Sequence, residues 1–168
     1  MLSPAIEEAL NTQVNKELYS AYLYFSMSAY FESVNLKGFA NWMRVQAQEE
    51  QFHAVKLFDY INERGGRVVL RPIEGPETEW ENPTAVFRQT QEHERYVTSL
   101  INGLVRMARD ENDFATETFL QWYVTEQVEE EAGAADLLER LKLAGDRGGG
   151  LFMLDRELAA RVFTPPVQ

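Results

Sequence analysis

Glu50 and His53 lie three residues apart, one turn of an α-helix, so a helix there would offer a carboxylate oxygen and an imidazole nitrogen to the same ion. Glu17, Glu94 and Glu130 are further acids spaced among apolar residues. Carboxylates gathered around one imidazole suit iron or manganese better than a structural zinc site. Thiolate ligands are excluded, because the 168 residues include no cysteine, and disulfides, cysteine nucleophiles and iron–sulfur clusters go with them. The net charge gives no site by itself and equally describes a soluble surface. Sixteen basic against 27 acidic residues leave −11, which attracts cations and has the wrong sign for neutralising phosphates, so no nucleic-acid partner is expected.

Five helices must position these groups. Ser3-Pro4 and Asn82-Pro83 are cap-plus-proline starts, and Gly65-Gly66 and Ala144-Gly145 are stops. The apolar spacing predicts helices over 4–34, 36–64, 83–110 and from about 113 to 144, with breaks at Asn35 and Glu111-Asn112. A glycine-rich linker over 145–150 leads to a short fifth helix over 151–163, closed by Pro165-Pro166. Val68-Val69-Leu70 could pair briefly as a strand. Short breaks force helices one and two, and three and four, to run antiparallel. Residues 65–82 can stretch to about 60 Å, more than the roughly 43 Å of the second helix. The chain is therefore expected to form one domain over 1–168, an all-α four-helix bundle over 4–144 with a long crossover between its second and third helices.

Steps of three and four trace the buried seam of each helix. Those seams are apolar at both ends and polar midway, through Glu17; Gln46, Glu50 and His53; Thr90 and Glu94; and Gln127 and Glu130. Measured from each helix start, Glu17, Glu50, Glu94 and Gln127 stand at a common height, roughly 17 to 21 Å along the axis. No Lys or Arg lies on any seam. An unpaired buried carboxylate takes up a proton or finds a cation, and two divalent ions would balance four acids. Tyr24 is either core packing or a hydrogen-bond donor to a ligand, and Gln127 is either a supporting donor or a weak ligand. Trp122, Gln46 and Thr90 read as core or polar-layer residues, and His93, about 100° around the helix from Glu94, reads as a surface residue. Glu126, Glu129 and Glu130 share a helix face and Glu49 flanks Glu50, so these acids are either a solvated face or a place for a third cation.

The chain resembles the bacterial and archaeal non-haem ferritins along nearly its whole length. The resemblance is carried by Glu17 with Tyr24, by Gln48-Glu49-Glu50-Gln51-Phe52-His53, by Gln91-Glu92-His93-Glu94, by the stretch Phe119 to Glu131, and by Gly149 to Leu158. It implies a ferritin-like fold and iron storage with ferroxidase activity at a dinuclear centre. Glu17, Glu50 and His53 would hold one iron and Glu50, Glu94 and Glu130 the other, with Gln127 and Tyr24 in support. A third iron site would fall on Glu49, Glu126, Glu129 and Glu130. The resemblance further implies oxidation of Fe(II) by oxygen or hydrogen peroxide. The product would be stored as a hydrated ferric oxide inside a homo-oligomeric shell of 24 subunits.

Haem is not expected. In the haem-containing bacterioferritins the fourth helix carries Glu-x-x-His and a Met follows the second-helix Glu, whereas here stand Gln127-x-x-Glu130 and Gln51. A rubrerythrin-like peroxidase would bring a Cys-x-x-Cys module that the chain lacks. The remaining rival is a non-catalytic helical scaffold whose central acids are protonated or wetted. The first residues lack the pattern of a signal peptide and no apolar run reaches membrane-spanning length, so a cytoplasmic protein without membrane contact is expected.

Overall fold

The computed structural model describes residues 1–165 and contains α1 (Pro4–Ser33), α2 (Lys37–Glu63), α3 (Pro83–Asp110), α4 (Phe114–Ala144) and α5 (Gly149–Leu158). Among the described residues there is no strand, and Val68-Val69-Leu70 is extended chain without a partner strand. Caps set the boundaries. Ser3 accepts from the Ile6 amide, Asn82 from Ala85 and Asp113 from Thr116, each satisfying a donor that the helix itself cannot use. The two short breaks turn at Asn35 (φ 60°) and Asn112 (φ 57°), left-handed positions that asparagine tolerates.

The crossover lies along α1. Asn11 binds its first part, donating to the Arg67 carbonyl and accepting from the Val69 amide at 2.7 Å. Farther on, Ser26 donates to the Glu77 carbonyl and Tyr30 packs edge-on against Trp80. The segment therefore carries the chain from the Asn11 end of α1 to its Tyr30 end, where α3 begins. That path makes α2 and α3 parallel.

The fifth helix departs from expectation at both ends. It starts at Gly149, inside the glycine run, because Gly148 adopts φ 86° and turns the chain into the helix. It stops at Leu158 instead of continuing to 163, because Asn41 of α2 donates to the carbonyls of Leu158 and Arg161 and draws the backbone out of helical path. Pro165 lies in non-helical chain, while the expected stop at Pro166 falls outside the described residues. Leu151, Leu154 and Leu158 bury against the bundle. Asp155 accepts from the Gly38 and Phe39 amides at 2.8 and 3.0 Å. Since α2 has no side-chain cap of its own, α5 supplies it. Gly38 permits this approach: a Cβ there would sit 1.6 Å from the Asp155 carbonyl oxygen. Gly38→Ala is expected to force α5 away at a cost of about 2–3 kcal/mol, lowering Tm by about 5–10 °C. Hydrogen exchange should show the lost protection concentrated in 149–158, and a uniform loss along the chain would contradict this account.

The apolar interior forms two bodies. One gathers Tyr24, Met27, Phe31, Phe39, Met43 and Phe87 with the α5 leucines, and the other Leu10, Val14, Leu57, Ile61, Ile101 and Leu120. Between them lies a polar layer.

Candidate metal centre

Glu17, Glu50, His53, Glu94 and Gln127 are buried in that layer, while Glu130 opens partly toward the gap between α2 and α4. Each helix of the bundle contributes, as the matched heights require. Two groups of potential ligands form around a shared Glu50: Glu17, Glu50 and His53, and Glu50, Glu94 and Glu130, with one ligand atom from each within 4.8 Å of the others. The His53 Nδ1 faces this layer, 3.4 Å from Glu50 and 3.9 Å from Glu17. A third group joins His53 and Glu130 to Glu126, whose oxygen is 4.0 Å from the opposite ring nitrogen, Nε2.

Neutral donors hold the acids in place. Gln13 donates to one oxygen of Glu17 at 2.7 Å, and the other oxygen is buried without any partner. Tyr24 donates to Glu94, whose second oxygen accepts from Gln127 at 3.2 Å. Gln46 donates to Glu130 at 2.5 Å. Tyr24 is thus more than packing, and Gln127 and Gln46 act as supporting donors. Such donors fix the carboxylate orientation while leaving the charge uncancelled. Thr90 donates within its own helix and toward Met27, as a core residue does. Trp122 lies edge-on to His53, with ring centroids 5.4 Å apart.

The electrostatics follow from that burial. Desolvation, reinforced by Glu94, holds the Glu50 carboxyl well above the usual carboxylate range. Burial pushes Glu94 up to about 7 against the hydrogen bonds from Tyr24 and Gln127, and burial with the Glu94 charge pushes Glu130 up to about 8. The Tyr24 phenol is raised by its burial and by Glu94. These shifts mark a place that resists negative charge until a cation arrives.

One residue departs from the sequence reading. His93 is largely enclosed instead of lying on the surface: its Nε2 meets the Ser20 hydroxyl at 2.7 Å, and burial, helped by Lys16, lowers its pKa to about 4. The crossover and α1 cover it, which helical angle alone cannot show. Among the acids of the outer face, Glu126 is half-buried and raised in pKa by burial, but Glu129 is exposed and Glu49 is bound by Arg161 from the chain beyond α5. Gln13 and Arg161 had no signal in the seam pattern. Gln13 sits one residue off the α1 seam, and Arg161 lies past the last helix.

A family model described as the Ferritin-like domain matches residues 7–144. The chain is 44% identical over 161 residues to a bacterial non-heme ferritin of Bacteroides fragilis, covering 96% of this chain and all of that one. It is 41% identical over 159 residues to the bacterial non-heme ferritin of Escherichia coli, covering 95% and 96%. Among solved structures, an open-pore ferritin of the hyperthermophilic archaeon Archaeoglobus fulgidus is 56% identical with TM-score 0.95, over 96% of this chain and all of that one. A closed form engineered from A. fulgidus ferritin is 57% identical with TM-score 0.96, over 98% and 100%.

Proposed function

The chain belongs to the ferritin family, an iron-storage family, and from that premise we propose that it is a ferroxidase which oxidises its own cargo before storing it. The observation that carries this reading is the shared position of Glu50 between two ligand groups in a layer where, among the described residues, no Lys or Arg is buried. Two Fe(II) ions are the substrate. Glu17, Glu50 and the Nδ1 of His53 bind one, and Glu50, Glu94 and Glu130 the other, so four carboxylates balance two divalent charges. Metal on Nδ1 would leave the ring proton on Nε2, with the Glu126 carboxylate 4.0 Å away on that side. Each Fe(II) gives up one electron, and dioxygen takes the two with two protons to give hydrogen peroxide, or peroxide takes them to give water. The carboxylates stabilise the higher charge of Fe(III) and tolerate changes in coordination.

Glu49, Glu126, Glu129 and Glu130 hold a third iron on the side facing the α2–α4 gap. They line a cavity of about 340 Å³ there, a route by which iron leaves the pair. Storage requires an enclosure, which we assign to a shell of 24 identical subunits containing hydrated ferric oxide. Among the described residues no helix is long and apolar enough to cross a membrane, and a cytoplasmic location fits the reading.

Aerobic addition of Fe(II) to the purified protein tests the chemistry, and sedimentation tests the store. The protein is expected to travel as a large hollow particle that grows denser as iron is loaded. Sedimentation as a dimer with no gain in density would refute storage even if iron were oxidised.

A further inference from the structure

The cation beside the outer acids belongs to the protein itself. Arg161 leaves the backbone just after α5, where Asn41 holds its carbonyl at 2.9 Å, and its side chain crosses α2 into the α2–α4 cavity. One guanidinium nitrogen donates to Glu49 at 2.5 Å, and the other donates to the Gln46 side chain at 3.0 Å and the Trp42 carbonyl at 3.3 Å. Its plane lies over the Trp42 ring, 4.4 Å from the centroid. Gln46 in turn holds Glu130. The other arginine lining the cavity, Arg140, is occupied by Asp136 and Glu157. Arg161 is therefore the basic side chain that neutralises Glu49.

We propose that Arg161 is a specificity-setting counter-ion for the third cation position, holding Glu49 while that position is empty and leaving it when a cation binds. A guanidinium on Oε2 of Glu49 repels a metal ion arriving at the same carboxylate, since two positive charges would then share one negative group. Each arriving cation must displace the arginine, so the outer position is weaker than the central pair and fills after it. Displacement also releases Gln46 and uncovers Trp42, which ties filling of the outer position to the donor holding Glu130. The proposal rests on the third-cation reading given above. The remaining contacts of the 159–161 backbone to Asn41 keep the tail docked, so the side chain can swing without undoing α5.

Calorimetric titration of the assembled, iron-free protein with Zn(II), a redox-silent probe, separates these claims. Arg161→Gln is expected to bind the third Zn(II) per subunit on the order of tenfold more tightly than the parent, with the first two unchanged. Arg161→Lys, which retains the charge, should stay near the parent. In a Trp80→Phe/Trp122→Phe background, which leaves Trp42 as the one indole and removes the Trp122 ring beside His53, emission should change at the third equivalent and not at the first two. Equal or weaker third-ion binding in Arg161→Gln would show that the arginine only pins the tail, and would overturn the proposal. Two ions in every protein, with Glu126→Ala binding the same two, would remove the third position itself, a different failure. If Arg161→Gln misfolds, the emission profile of the Trp42-only protein and the lysine variant still decide the matter: a Trp42 signal that is silent at the third ion refutes displacement.

Discussion

Replacing Glu50 and His53 together by alanine is expected to slow Fe(II) oxidation by at least about a hundredfold, to the rate of iron in buffer. Glu50 belongs to both ligand groups, so its loss dismantles both positions at once, and without His53 the first group keeps only Glu17. Stopped-flow absorbance of Fe(III) measures this directly. Loss of activity through unfolding is separable by Glu50→Gln, which keeps the side-chain volume and removes the charge. Because Glu50 is buried beside Glu17, Glu94 and Glu130, the iron-free Gln variant should melt higher than the parent at pH 8 while failing to bind the pair. Parent-like oxidation by the double variant would end the ferroxidase reading, leaving the helical scaffold as the better account.

Iron-free protein is expected to lose stability as pH rises from about 6.5 to 8.5, and metal is expected to abolish that loss. The sign follows from the shifts. Glu94 and Glu130 titrate near 7 and 8 in the folded state, above their unfolded values. Their contribution is therefore fully present below the unfolded carboxylate pKa and disappears as pH climbs through the folded values. His93 acts oppositely: its folded pKa near 4 gives stability present above the unfolded value of about 6.5 and lost below it. Starting at 6.5 leaves the acids to dominate. The Asp113 carboxyl, lowered chiefly by its bonds to Thr116 and Arg64 despite burial, is ionised throughout this window and does not contribute. We expect Tm of the iron-free protein to fall by about 10 °C over the interval. A non-oxidising divalent ion at about a thousand times its Kd adds about 4 kcal/mol, or roughly 8–16 °C. Binding near pH 6.5 should also release protons, which calorimetry in buffers of different ionisation heat detects. A pH-independent Tm for the iron-free form would mean that these acids are not confined as described.

The buried layer was legible because seam positions are governed by helical geometry alone. Glu17, Glu50, His53, Glu94 and Gln127 are buried where the spacing puts them. Glu130 is the seam residue that opens outward, since α2 and α4 stand apart at that level and leave the cavity. The crossover was legible only as a length. Its route depends on Asn11 and Ser26, isolated side chains without periodicity. The end of α5 was misplaced for a related reason: an apolar pattern runs on to Phe163, but Asn41, over a hundred residues earlier, decides where the helix stops. Arg161 and His93 follow the same rule. Contacts made by lone polar residues across distant parts of the chain leave no mark that local reading can find.

An interior divided into two greasy halves has a mechanical consequence. The level between them is joined by hydrogen bonds between helices, from Tyr24 and Gln127 to Glu94 and from Gln46 to Glu130, so either half can keep its apolar packing while those bonds rearrange. On the proposed reading, iron bound at that level would act as mortar between the halves, and its departure would loosen the joint again. Iron would thus pass through the level held by polar contacts, and the packing that keeps the fold lies at the two ends.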